Sequence, residues 1–316
     1  MKQNNYLLNF LKVTFFALLL IATSPVRAEI KVVTTIKPLH SLIANVMDGV
    51  GEPSLIIEDS TSPHSFTLKP SHAKLLEEAD LIFWVGEGIE TFMERPLESI
   101  VKNAEVVEFM EVESIEKLKF REESIYGDHD DHDDHDDHDD HAGHEGHNHG
   151  EFDAHIWLDP MNAKEMVREI AHELGHLDPT NKDKYEANAD ATILALDQLI
   201  EDVSKDINKD AKFVVFHDAY QYFEERFGVR AEGALTLNTD VLPGAKQIDE
   251  IQDVIKDRGI NCIFSEPQFN PKIISTIAED MNIKTGVFDP LGANINSDKD
   301  LYFKLISNLG NELKGC

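Results

Sequence analysis

The chain has 316 residues and a strong excess of acidic side chains: 60 Asp and Glu stand against 29 Lys and Arg, for a formal net charge of −31. A surface of that sign repels a phosphate backbone, which argues against a nucleic-acid partner, and it attracts cations. The length favours two domains, each large enough for its own hydrophobic core.

Residues 1–28 have the pattern of a secretory signal sequence. Lys2 supplies the positive start, residues 13–22 form the apolar segment, and residues 26–28 (Val-Arg-Ala) fit a cleavage site after Ala28. The apolar segment is short for a membrane span, and no Cys follows the cleavage site to carry a lipid. We therefore expect a soluble protein exported to the periplasm.

Short β-branched segments alternate with helical patterns in the first half of the chain, which indicates parallel βαβ units. Proline at the first turn supports two of the helices. The predicted strands are 30–35, 54–57, 80–86 and 105–108, and the predicted helices begin at Pro38, run over 70–79 and run over about 90–102.

Two long helical patterns separate this half from a second one of the same kind. Asp159 and Pro160 suit an N-cap and a first helical residue, which predicts a helix to about Gly175. The next pattern, from Pro179 to about Ile207, is longer than most globular helices and is interpreted as a connecting spine. The later strands are predicted at 213–216, 260–265 and 284–288, and the later helices at 220–227, 244–259, 271–281 and 299–313.

These patterns predict an α/β protein of two lobes, each with a small parallel sheet flanked by helices, joined by a long rigid backbone helix. The predicted N-terminal lobe is 29–176 and includes a disordered loop at 127–150. The predicted spine is 177–209, and the predicted C-terminal lobe is 210–316.

A tract rich in His and Asp occupies residues 128–149 and offers nothing from which a core could be built, so we expect it to be disordered when empty. Imidazole and carboxylate together suit a borderline divalent ion such as Zn²⁺, Ni²⁺ or Cu²⁺. A solvated acidic linker or an expression tag is the alternative, but neither requires His at every third position. The histidines predicted to collect metal are His129, His132, His135, His138, His141, His144, His147 and His149.

Four candidate ligands lie after predicted strands or in loops near them, where parallel α/β sheets bind their ligands. His64 and His155 come from the first half of the chain, and His217 and Asp289 come from the second. Three imidazoles and a carboxylate match a four-coordinate zinc site. Two further residues near strand ends, His40 and Glu266, are candidates for accessory roles.

Residues 172–176 fit the His-Glu-x-x-His pattern of zinc proteases, in which two helical histidines bind zinc and Glu activates water. The predicted helix ends here, at Gly175 and Asp178, and so short a pattern arises by chance. We therefore expect no enzyme, and a metalloprotease using His172, Glu173 and His176 is the disfavoured alternative. A stand-alone metal store or chaperone is a second alternative that the sequence leaves open.

Five motifs follow one another along residues 29–316. They are 62–66 (Ser-Pro-His-Ser-Phe) with 69–71 (Lys-Pro-Ser), 155–160 (His-Ile-Trp-Leu-Asp-Pro), 216–220 (Phe-His-Asp-Ala-Tyr), 265–269 (Ser-Glu-Pro-Gln-Phe) and 289–292 (Asp-Pro-Leu-Gly). Together they resemble the cluster A-I substrate-binding proteins of metal ABC importers, and most of all the zinc-specific type. The resemblance implies Zn²⁺ held between two lobes, an acidic His-rich loop, and a membrane permease with a cytoplasmic ATPase as the partner. We also expect a monomer, with periplasmic zinc chaperones as further candidate partners.

The same resemblance implies roles for the four candidate ligands. His64, His155 and His217 match the zinc histidines, and Asp289 matches a carboxylate that ligates or neighbours the metal. Some zinc members carry Glu just before the first histidine, where this chain has Pro63. The fourth ligand is therefore either Asp289 or water.

The chain has two cysteines, Cys262 and Cys316. In an oxidising compartment an even number of cysteines is typical of a disulfide, which here would tie the chain end to an inner strand. Two unrelated thiols are the alternative. The resemblance also implies the bond, because zinc-specific members carry a similar disulfide.

Overall fold

The computed structural model describes residues 30–121, 151–237 and 244–316, so the predicted signal sequence and the His/Asp tract lie outside the described residues. Two four-stranded sheets, parallel throughout, form the framework. The predicted α/β class with two sheet-and-helix lobes is confirmed. The first lobe contains β1 (Val32–Thr34), α1 (Lys37–Val46), β2 (Ser54–Leu55), α2 (Pro70–Glu78), β3 (Leu81–Trp84), α3 (Thr91–Ser99) and β4 (Glu105–Glu108).

The first sheet has the strand order β2-β1-β3-β4. Its central strands β1 and β3 are buried along their whole length, because helices cover both faces of a parallel sheet. The edge strand β4 is only partly buried. Since every strand runs in the same direction, the loops after their carboxyl ends emerge at one edge of the sheet.

Two helices connect the lobes: α4 (Pro160–Leu177) and α5 (Lys182–Asp206). Asp159 caps α4 as predicted, with Oδ1 accepting a hydrogen bond from the backbone N of Met161 at 2.8 Å. Helix α4 continues two residues past the predicted end at Gly175. Helix α5 packs against α4 and α1, and its 25 residues extend about 37 Å.

The second lobe repeats the architecture with the strand order β6-β5-β7-β8. Strand β6, with three residues, was not among the predicted strands. The elements are β5 (Phe213–His217), α6 (Gln221–Phe227), β6 (Ala234–Thr236), α7 (Ala245–Arg258), β7 (Cys262–Ser265), α8 (Lys272–Met281), β8 (Lys284–Val287) and α9 (Leu301–Lys314).

A disulfide joins Cys262, at the start of inner strand β7, to Cys316, with 5.8 Å between the Cα atoms. The bond ties the chain end to the second sheet, as expected. Among the described residues, no helix combines the length and the apolar character that a bilayer crossing requires.

Candidate metal centre

Three histidines from separate parts of the chain converge between the two sheets. His64 lies in a 3₁₀ turn (Pro63–Ser65) after β2, His155 precedes a 3₁₀ turn (Ile156–Leu158), and His217 ends β5. Each offers one ring nitrogen, and these three atoms lie within 4.8 Å of one another. The ring centroids are 4.9 to 5.6 Å apart. The structure therefore brings together all three histidines that the sequence singled out.

A buried carboxyl orients His155. Asp153 Oδ1 lies 2.7 Å from His155 Nδ1 and also accepts a hydrogen bond from the backbone N of His155 at 3.0 Å. Burial, reinforced by nearby His217, holds the pKa of His155 well below its usual value. Burial also raises the pKa of Asp153 to about 7. Because Nδ1 is engaged, Nε2 of His155 remains to bind a cation, and a carboxyl behind an imidazole is a common way to orient a metal ligand.

His217 has a similar partner in Glu266, which follows β7. The Nδ1 atom of His217 lies 3.4 Å from the Glu266 carboxylate oxygens. Burial alone would lower the pKa of His217, but the charge and hydrogen bond of Glu266, together with the charges of Asp218 and Asp153, outweigh it, so the pKa is raised. The accessory residue Glu266 thus lies behind a cluster histidine, and Nε2 of His217 is left for a cation.

Asp289 is not part of the three-histidine cluster. Its Oδ1 accepts hydrogen bonds from the backbone N of Leu291 at 3.1 Å and of Gly292 at 3.0 Å, and from Gln268 Nε2 at 3.0 Å. Its Oδ2 accepts from the backbone N of Ala293 at 2.6 Å. The carboxylate therefore organises the loop after β8, beside the centre.

His40 also lies outside the cluster. Its Nε2 is 3.1 Å from the carbonyl oxygen of Pro53, and burial lowers its pKa. This contact holds the end of the loop before β2 against α1. The geometry therefore does not favour a role for His40 as an accessory ligand.

Contacts from the first lobe fix the loop that Asp289 caps. Lys37 Nζ donates to the carbonyl oxygens of Gly292 at 2.9 Å and Ile295 at 2.7 Å. Trp157 Nε1 donates to the carbonyl oxygen of Pro290 at 2.8 Å. These bonds cross from one half of the molecule to the other directly beside the histidines. They fix the relative positions of the two lobes around the space that the histidines line, which is called the cleft below.

The two chain segments that flank the His/Asp tract are anchored on α6. Tyr222 Oη donates to the carbonyl oxygen of Asp153 at 2.6 Å and accepts from the backbone N of Leu118 at 2.9 Å. Arg121 donates to Asp218 at 2.9 Å and to Glu224 at 2.6 Å. The tract itself lies outside the described residues, but the described segment before it ends at Arg121, which is held by Asp218 next to His217, and the described segment after it contains His155.

Sequence reasoning missed Asp153 and Arg121 as residues of this region. Asp153 stands two positions before His155, and that short spacing was the only available signal. Arg121 meets Asp218 and Glu224 across about a hundred positions of sequence, and charge alone does not reveal such a pairing.

The residues that fit the zinc-protease pattern, 172–176, do not belong to the three-histidine cluster. His172 and His176 lie near the end of α4, and their side chains are 73% and 70% exposed. Within the described residues, neither histidine belongs to the cleft cluster.

Two α/β lobes, each built on a parallel β-sheet, are linked by a long helix and have a histidine cluster between them. This arrangement defines the class of two-lobe solute-binding proteins. Residues 32–316 match the family model described as "Zinc-uptake complex component A periplasmic" (ZnuA). The chain is 46% identical over 303 residues to the high-affinity zinc uptake system protein ZnuA of Brucella abortus, covering 90% of this chain and 91% of the relative. The chain belongs to the ZnuA family.

More distant relatives extend over the same length. The ZnuA protein of Yersinia pestis is 34% identical over 312 residues, with 97% of this chain and 98% of the relative covered. A crystal structure of ZnuA superposes with a TM-score of 0.72 at 22% identity and covers 90% of this chain and 98% of that one. The fold and family expected from the sequence motifs are both confirmed.

Proposed function

We propose that the protein is the zinc-binding component of an ABC importer, which captures Zn²⁺ between its lobes with His64, His155 and His217 and delivers it to a membrane permease driven by a cytoplasmic ATPase. The convergence of three imidazoles from both halves of the molecule carries the proposal. Imidazole is a preferred zinc ligand, and the matched family model describes a component of zinc uptake.

The fourth coordination position is assigned to water rather than to Asp289. Both carboxylate oxygens of Asp289 are engaged by loop and side-chain N–H groups. Three protein ligands with an exchangeable fourth position are a common zinc arrangement. An open position suits a carrier, because an incoming ligand of the permease can enter there before the histidines release the ion.

The proposal also covers export, processing and domain organisation. Residues 1–28 direct export to the periplasm and are removed after Ala28, and the mature chain acts as a monomer with lobes at 29–176 and 210–316 joined by 177–209. Periplasmic zinc chaperones are candidate donors of the ion.

The His/Asp tract, 128–149, is assigned a low-affinity role as a zinc collector or as a sensor that slows uptake when zinc is plentiful. Deleting 128–149 is expected to lower the number of zinc ions bound and to change uptake at limiting zinc. Unchanged stoichiometry together with unchanged uptake would contradict this role, without affecting the cleft assignment.

The cleft assignment is tested by calorimetric zinc titration of residues 29–316 beside a variant with His64→Ala, His155→Ala and His217→Ala. The triple variant is expected to lose one tight binding event and to retain weaker binding by the tract. His72→Ala, which alters a histidine of α2 outside the cluster, serves as the control and keeps the tight event. Survival of the tight event in the triple variant would show the three-histidine assignment to be wrong.

A further inference from the structure

A second group of metal-ligating side chains lies on the first lobe, away from the cleft. Glu105 starts the edge strand β4, and Glu173 and His176 lie near the end of α4. Each offers one ligand atom, and the three atoms lie within 4.8 Å of one another. His176 Nδ1 is 3.7 Å from Glu105 Oε1. The group thus joins a helix to the neighbouring edge of the sheet.

This group is separate from the histidine cluster in the cleft. Helix α4 begins at Pro160, five positions after His155, and its rise of about 1.5 Å per residue puts His176 about 24 Å further along the axis. Glu105 lies at the amino end of β4, whereas His64 and His217 lie at or beyond the carboxyl ends of their strands. One ion could not be shared between the two places.

We propose that Glu105, Glu173 and His176 form a second binding site for a borderline divalent cation such as Zn²⁺, with one imidazole and two carboxylates as ligands. Zinc accepts this mixture of nitrogen and oxygen ligands at about 2.0–2.2 Å and tolerates water in a remaining position. His176 is exposed and Glu105 is partly exposed, so small side-chain rotations are enough to close the ligand atoms around an ion.

Two electrostatic features favour a cation at this place. His176 lies in the last turn of α4, where the negative end of the helix dipole attracts positive charge. The carboxylates of Glu105 and Glu173 each place an oxygen within 4.8 Å of the other and of the His176 ring nitrogen. A bound divalent ion would neutralise carboxylates that otherwise repel each other.

The arrangement of residues 172–176 differs from that of a zinc-protease site, although their sequence fits the pattern. The carboxyl of Glu173 is directed toward Glu105 and serves as a ligand in the proposal, rather than standing beside an ion held by both histidines. His172 is one turn before His176, with Nε2 3.7 Å from Glu173 Oε1, and flanks the group.

The proposal is tested by carbethoxylation of histidines with diethyl pyrocarbonate in residues 29–316, read out at each histidine by peptide mass spectrometry. A metal buffer sets free Zn²⁺, so that the tract does not deplete it. At free zinc about ten times the dissociation constant, modification of His176 should slow about tenfold, because only the metal-free fraction reacts. Mg²⁺ at the same concentration should leave the rate unchanged, since imidazole disfavours so hard an ion.

The variant Glu105→Gln/Glu173→Gln should lose this protection, and the charge-matched control Glu201→Gln/Glu279→Gln, which alters two exposed carboxylates elsewhere, should keep it. An unchanged His176 rate in zinc, equal protection by Mg²⁺, or full protection in Glu105→Gln/Glu173→Gln would each overturn the second site. Protection of His64 in the same samples reports the cleft separately, so failure at His176 and failure of the proposed zinc capture are distinguishable.

Discussion

Arg121 and Asp218 form an ion pair between the two lobes, with Nη1 of the arginine 2.9 Å from Oδ1 of the aspartate. Asp218 directly follows the cluster histidine His217, and Arg121 is the last described residue before the His/Asp tract. The second guanidinium nitrogen binds Glu224 at 2.6 Å. Arg121 therefore pairs with two buried carboxylates beside the candidate metal centre and holds the described segment that ends at Arg121 against the second lobe.

Replacing Arg121 should destabilise the whole fold. Arg121→Gln leaves Asp218 and Glu224 buried without their cation, and loss of one partner of such a group costs about 3 kcal/mol. Urea unfolding in the absence of zinc measures the change. Lys299→Gln, which removes an exposed pair with Asp48, is the control and should alter stability little. Equal stability of Arg121→Gln and the unmodified protein would contradict the role of Arg121.

Asp153 should determine zinc affinity through His155. Asp153→Asn removes the carboxylate that holds Nδ1 of His155, and loss of such an orienting partner typically weakens metal binding about 10–100-fold. Competition against a chromogenic zinc chelator measures the effect. The tight site should persist at lower affinity, whereas His155→Ala should abolish it. An unaltered affinity in Asp153→Asn would mean that the imidazole is oriented by packing alone.

Asp289 is expected to act on the loop rather than on the ion. Asp289→Asn weakens the hydrogen bonds to the backbone of Gly292 and Ala293, which should cost about 1–3 kcal/mol of stability, as for other hydrogen bonds to charged groups. Zinc stoichiometry should stay the same, and zinc affinity should fall less than in His155→Ala. X-ray absorption at the zinc edge gives a direct check: the same number of histidine ligands and an unchanged oxygen ligand are expected in Asp289→Asn. Disappearance of a carboxylate ligand would reinstate Asp289 as the fourth ligand.

The site residues that could be predicted from the sequence are those whose positions depend on the neighbouring strand or turn. His64, His155 and His217 were predicted because each stands beside a strand or capped turn that its neighbours define, and the ends of parallel strands meet at one edge of a sheet. The direction in which Asp289 points depends on the path of 290–293, which Lys37 fixes from the other lobe. Such long-range contacts produce no periodic pattern in the sequence. For the same reason, the pairing of Arg121 with Asp218 and Glu224 was not predicted.

Glu90 should make stability depend on pH in the mildly acidic range. Its carboxyl is buried and accepts hydrogen bonds from the backbone N of Val85 at 2.7 Å and of Gly86 at 3.2 Å, and burial raises its pKa from 4.5 to about 7. Between these values the folded protein keeps a proton that the unfolded chain has released, so the free energy of unfolding falls as pH rises.

The shift corresponds to about 3 kcal/mol between pH 4.5 and 7. Glu90→Gln carries no titrating group at this position, so the difference in stability between it and the unmodified protein should change by about that amount over the interval. Urea unfolding at several pH values, without zinc, measures both. Glu98→Gln, on the exposed side of α3, is the control and should follow the unmodified protein at every pH. A constant difference between Glu90→Gln and the unmodified protein would show that folding does not raise the pKa of Glu90.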